Sequence, residues 1–161
     1  MERRVVEGYF PARKPGRTHF VSVEPGRTEL VLADPGEADG EAIEQRTAIP
    51  HAHAEALLDL CVGRVGFERT RIRLGSGFEI VLERVVHPAT LDLVMVLPGE
   101  GPFEPPAWLG PEVTRDAAWD KRSIAFRGAP EAPEIPLSNA ALDALLSDLE
   151  ARPNGAGRPH G

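Results

Sequence analysis

Cysteine is almost absent. Cys61 stands alone among 161 residues, which excludes an intramolecular disulfide framework and a multi-cysteine zinc site. Long apolar runs are missing as well. No stretch approaches the roughly 18 residues that a membrane-spanning helix requires. The apolar residues after Met1-Glu2-Arg3-Arg4 are too few for a signal peptide. The expectation is a reduced, cytoplasmic protein with no membrane partner. Positive charge is in the minority, with a formal net charge of −7. That argues against general nucleic-acid binding, which favours a basic face, but leaves room for a local basic pocket. Aromatic residues are scarce, and both tryptophans fall in one stretch from Glu104 to Phe126.

What is present is typical of a globular chain. Hydrophobic content is 42% and charged content 27%, in the range of domains that bury a core without metal or disulfide staples. Sixteen glycines and sixteen prolines with few lysines predict many turns.

Two segments carry helical periodicity. Pro50 to Cys61 places Ala54, Leu57, Leu58 and Cys61 on one stripe, and Ser138 to Ala151 does so with Leu142, Leu145, Leu146 and Leu149 behind a Ser138-Asn139 cap. Strand patterns occupy Val5–Phe10, Thr18–Val23, Glu29–Ala33, Glu68–Leu74, Phe78–Val86 and Leu91–Leu97. Gly75-Ser76-Gly77 is a hairpin signal between two of them. Pro35 to Gly40 reads as an exposed loop, and 152–161 as a disordered Gly/Pro-rich tail. The fold class is α+β, an antiparallel sheet or barrel with flanking helices. In the strand Glu68–Leu74, Arg69, Arg71 and Arg73 alternate with Thr70, Ile72 and Leu74. Period two puts the guanidinium groups on one face. That face is either solvated or a basic groove for phosphate or carboxylate, which arginine binds with forked, permanently charged donors.

The remaining constellations read as structural. His51 and His53 point to different sides of a helix and do not share a metal. Cys61 ends an apolar stripe and reads as a buried small hydrophobe. Ser76 is a turn residue, and Trp108 and Trp119 read as core anchors.

Pro105-Pro106-Ala107-Trp108-Leu109-Gly110-Pro111-Glu112-Val113-Thr114-Arg115-Asp116 resembles the P-x-W-[LF]-G-x-E-V-T-x-D segment of bacterial CYTH domains. These belong to the triphosphate tunnel metalloenzyme superfamily of class IV adenylate cyclases, thiamine triphosphatases and inorganic triphosphatases. Glu7-Gly8-Tyr9-Phe10 is similar to the family's Q-G-Y-L strand, Leu30–Ala33 to L-T-[IL]-K, Ile49-Pro50 to its I-P helix start, and Glu68–Arg71 to E-K-T-R. The resemblance spans residues 5 to 126 and implies a single CYTH-like domain over 1–151. The implied fold is an antiparallel tunnel in which basic residues grip a triphosphate and acidic residues hold Mg²⁺ or Mn²⁺.

Carried over residue by residue, that machinery is largely missing, so the resemblance is to a degenerate CYTH domain. The family's E-x-E-x-K strand precedes Q-G-Y-L, and here it has no counterpart; an open or incomplete tunnel is expected. His19–Val23 replaces V-R-V-R, and Ala33 stands where the family has lysine. Glu79 keeps one carboxylate of an E-x-D strand. Met95 and Leu97 replace both acids of E-V-E. Glu44 and Arg46, or Arg46 and Ala48 with another gap placement, fall where the family has paired glutamates. The expected function is a non-catalytic binding or accessory protein with no catalytic residues, no metal ligands and no cofactor. Its ligand is an anionic small molecule or peptide, held by Arg69, Arg71, Arg73, Glu79, Met95 and Leu97. A homodimer or partner protein is expected at an exposed sheet edge. The alternative is a triphosphate phosphohydrolase or adenylate cyclase-like enzyme using Mg²⁺ or Mn²⁺.

Overall fold

The computed structural model describes residues 3–12, 16–34, 43–133 and 138–150. Seven strands build one antiparallel sheet: β1 (Arg3–Tyr9), β2 (Thr18–Glu24), β3 (Arg27–Asp34), β4 (Ile43–Ala48), β5 (Gly63–Arg73), β6 (Glu79–His87) and β7 (Leu91–Val96). Their order is β4-β3-β2-β1-β5-β6-β7. The sheet is open: β1 lies in its centre, and β4 and β7 form its edges. Three helices complete the α+β fold: α1 (His51–Asp59), α2 (Lys121–Arg127) and α3 (Asn139–Glu150).

The alternation of side chains decides what each face does. On one face, called inner here, Val5 and Tyr9 of β1 stand with Phe20, Val31, Val65, Phe67, Val85 and Leu91 in one buried cluster. Ile124 of α2 enters this cluster fully buried, and Trp119 packs against it. The opposite, outer face carries α1 over β2 and β3, with Ala54 buried. Further along that face, Ile72, Leu74 and Ile80 form a second cluster under Phe78, Phe103 and Trp108.

Local chemistry sets each helix. The Ile49 N–H donates to Thr28 O at 3.0 Å, and the Thr28 hydroxyl donates to the Ile49 carbonyl. Those bonds hold the chain where Pro50 opens α1. α2 is capped by Asp120, whose carboxylate accepts the Ser123 N–H at 2.7 Å, and ends at Gly128 with φ 84°. A positive φ there suits only glycine without strain. Ser138 caps α3 by accepting the Ala141 N–H.

Six of the strands, α1 and α3 follow the periodicity of the sequence. β4 and α2 do not announce themselves. All six residues of β4 are exposed, so it has no apolar alternation to read. α2 is seven residues long, too short for a stripe. The loop expected over Pro35 to Gly40 and the tail expected over 152–161 lie outside the described residues. No helix among the described residues is long and apolar enough to cross a membrane.

Candidate functional site

A pocket of about 610 Å³ opens on the polar half of the inner face. Period two supplies its lining: Glu7 and Tyr9 from β1; Thr18, Phe20, Ser22 and Glu24 from β2; Arg27, Glu29 and Ala33 from β3; Glu44 and Arg46 from β4; and Arg69 from β5. The start of α2 adds Asp120, Lys121 and Arg122. Five acids and five cations thus share one cavity.

The charges are organised in two knots. In the first, Glu83 is 6% exposed and accepts from Arg69 Nε and Nη2 at 2.9 and 2.8 Å and from Lys121 Nζ at 3.1 Å. Lys121 also lies 3.7 Å from Glu7, and its Nζ stands 4.6 Å from the centre of the Phe67 ring. Burying Glu83 and Glu7 here is tolerable only because cations and donors satisfy them. Glu7 accepts a 2.6 Å hydrogen bond from the Tyr9 hydroxyl. Burial first, and the neighbouring Glu7 carboxylate second, push the Tyr9 hydroxyl far above its ordinary pKa. Tyr9 is therefore a fixed donor and not a base.

The second knot centres on Glu29. It accepts from Arg27 at 2.8 Å and from Arg46 at 3.1 Å, while Arg46 Nε also donates to Glu44 at 2.6 Å. Burial works to raise the pKa of Glu29, but the hydrogen bonds and charges of Arg27 and Arg46 outweigh it and hold the carboxyl below its ordinary value. One donor is left over. Arg122 Nε is buried and has no hydrogen-bond partner among the described residues.

The sequence-predicted residues divide. Arg69 lines the pocket. Arg71 stands in register with Val81 and Met95, and Arg73 with Glu79, whose carbonyl accepts from the Leu97 N–H. The expected groove residues are thus neighbours on the same face as Arg69, in two rows beyond the pocket. Those rows are open to solvent: the Arg71 side chain is 68% exposed and Met95 54% exposed. Arg71 pairs with Glu79 at 3.2 Å.

Sequence reading passed over Lys121, Glu7, Glu29, Glu83 and Arg122 as site residues. The signal for Lys121 and Arg122 was the Asp120 cap, which fixes where α2 begins. Nothing in the sequence signals that Glu83 meets Arg69, because that contact follows from the β5–β6 register. Cys61 is partly buried, and burial raises its thiol pKa against the opposing charge of Arg64.

The CYTH resemblance implies a divalent metal held by carboxylates. Among the described residues, no three His, Cys, Asp or Glu side chains come together to hold one. Glu7, Glu29 and Glu83 are each already engaged by cations or a hydroxyl. The set does not fit a resident metal.

No protein-family model matches the chain, and no curated protein does. Solved structures do. One, of NE1496 described as a hypothetical protein, matches with a TM-score of 0.59 and 21% identity over 83% of this chain and 88% of that one. Another, of NE1496 described as an inorganic triphosphatase, matches with a TM-score of 0.61 and 20% identity over 81% of this chain and 86% of that one. The chain has the CYTH-like fold of that inorganic triphosphatase, in an open seven-stranded form.

Proposed function

We propose that the inner-face pocket binds a compact anionic small molecule carrying phosphate groups. The observation that carries this reading is the convergence of Arg27, Arg46, Arg69, Lys121 and Arg122 on one cavity, with Arg122 Nε buried and unpaired. A buried guanidinium N–H without an acceptor costs free energy, and the same side chain, whose guanidinium lies over the Phe126 ring, lines the cavity with further donors that phosphate oxygens fit. The cavity volume suits a small molecule. The other cations are held by Glu29 and Glu83, so the anion binds by exchanging with those carboxylates, and no chemistry is required of them.

Calorimetric titration with tripolyphosphate and ATP is the test. Binding should weaken roughly tenfold or more in Arg122→Ala or Lys121→Ala, the effect of losing one charge-assisted hydrogen bond. Absence of heat or thermal-shift response with every phosphate ligand would sink the proposal.

A second reading is hydrolysis of the bound triphosphate, favoured by the likeness to the inorganic triphosphatase. The bound phosphates would then have to complete the ligand set of a Mg²⁺ or Mn²⁺ ion, which the carboxylates as paired here do not form. Phosphate release from tripolyphosphate, dependent on Mg²⁺ or Mn²⁺, separates the two. A preparation that binds tripolyphosphate without releasing phosphate leaves the binding reading alone.

A further inference from the structure

We propose that the outer edge of β4, unpaired among the described residues, is a homodimer interface, in which a second copy of this chain pairs antiparallel with β4 about a two-fold axis at Gln45. This inference stands apart from the ligand reading.

The backbone supplies the first part of the argument. Ile49 N–H bonds to Thr28 O, continuing the β3–β4 register in which Glu29 faces Ala48 and Leu32 faces Gln45. In an antiparallel pair, alternate residues direct both their N–H and C=O to the same neighbour. Ile43, Gln45 and Thr47 therefore spend theirs on β3, and Glu44, Arg46 and Ala48 aim theirs at the open edge. All six residues of β4 are exposed, Ile43 at 58%. An unpaired edge of this kind is a template for another strand.

Charge then selects the partner and the register. Self-pairing must set outward-directed residues opposite one another. Centring on Glu44 opposes two carboxylates, and centring on Arg46 opposes two guanidinium groups. Centring on Gln45 sets Glu44 opposite Arg46 of the partner subunit, and Arg46 opposite Glu44 of the partner subunit. Directly opposed unlike charges stabilise a sheet pair and like charges oppose it. In that register Ile43 also faces Thr47 of the partner subunit. The other edge, β7, has no such complement: its outward-directed residues are Asp92, Val94 and Val96, and Asp92 is bound to Arg84. Glu44 and Arg46 line the pocket, so the second copy would bring its own Arg46 and Glu44 to the pocket rim.

The test uses the full chain. Sedimentation across a concentration series should show a dimer. Glu44→Arg and Arg46→Glu should each raise the dimer Kd roughly tenfold or more, because like charges are then opposed. The double variant, Glu44→Arg with Arg46→Glu, should return it toward the parent value. Register is read independently by cross-linking in a Cys61→Ala background. Gln45→Cys meets its own copy at a non-hydrogen-bonded site, with Cα atoms about 4.5 Å apart and within the span of a disulfide, and should form one on mild oxidation. Ile43→Cys should not, because it sits four positions from its own copy. A monomer at every concentration overturns the proposal. So does a dimer that Gln45→Cys fails to cross-link or that Ile43→Cys cross-links equally.

Discussion

Glu83 holds Arg69 and Lys121 at once from a nearly dry position on β6. Replacing it by glutamine leaves Arg69 without its counter-charge and Lys121 with Glu7 alone at 3.7 Å, both cations partly reached by solvent. Glu83→Gln should cost about 1–3 kcal/mol in urea unfolding, the range for a buried polar group losing its charged partner. The same change frees those cations, so tripolyphosphate should bind several-fold more tightly by calorimetry; unchanged or weaker binding would show that Glu83 does not compete for the site. Glu29 gives a pH prediction. Its carboxyl is held below its usual 4.5 by Arg27 and Arg46, against the effect of burial. The unfolded chain takes up that proton more readily than the folded one. The stabilisation is therefore complete above the usual carboxylate value and is lost as pH falls through the folded one. Urea midpoints compared at neutral and acidic pH should fall less steeply for Glu29→Gln than for the parent. Of the site residues, only Arg69 was legible from sequence, because strand alternation marks it. Lys121, one of two lysines in the chain, sits on a short helix with no period to display, and its partner is far away in sequence.

Two elements that carry the site, β5 and α2, meet at a glycine. A Cβ on Gly63 would stand 3.0 Å from the Ala125 carbonyl oxygen, so β5 and α2 touch backbone to backbone there. Backbone cannot rotate away as a side chain can. Gly63→Ala should displace α2, lower stability by about 1–3 kcal/mol, and weaken anion binding because Lys121 and Arg122 move with the helix. A melt that falls while affinity stays constant would show that α2 is not what positions the site. Asp120→Ala tests the same element from its cap. Loss of the bond to the Ser123 N–H should cost about 1 kcal/mol, read by thermal unfolding. α1 and α3 were legible because their apolar spacing is helical. β4 was hidden because an edge strand with every side chain in solvent needs no hydrophobic alternation.

Over the whole molecule, the tryptophan segment joins parts that are distant in sequence. Trp108 covers the outer-face cluster, and its indole N–H donates to Asp148 of α3 at 3.3 Å. The other oxygen of Asp148 accepts the Gly75 N–H in the β5–β6 turn at 3.0 Å. Trp119, eleven residues later, packs on the opposite face of the sheet. The chain from Trp108 to Trp119 therefore passes from one face of the sheet to the other and delivers α2 to the pocket. Asp148→Ala should release α3, costing about 1–2 kcal/mol for the two lost bonds. Hydrogen exchange should then rise in α3 and in the 75–77 turn while the central strands stay protected. Uniform exchange across the sheet would contradict this division.

The sequence by itself determined the α+β class, six of the seven strands, both long helices and the face that Arg69, Arg71 and Arg73 share. These follow from local periodicity, which the chain carries residue by residue. The Trp108-Leu109-Gly110 segment also pointed to the CYTH scaffold, and the fold of the inorganic triphosphatase bears that out. Tertiary structure alone decided where the pocket lies. Strand register gathered Glu7, Glu29 and Glu83 with their cations on one part of the inner face and left the Arg71–Met95 rows beside it, and the crossing of the tryptophan segment brought Lys121 to those knots. Pairing between charges some 38 residues apart, as between Lys121 and Glu83, is set by how strands align and helices dock, and no local pattern encodes it.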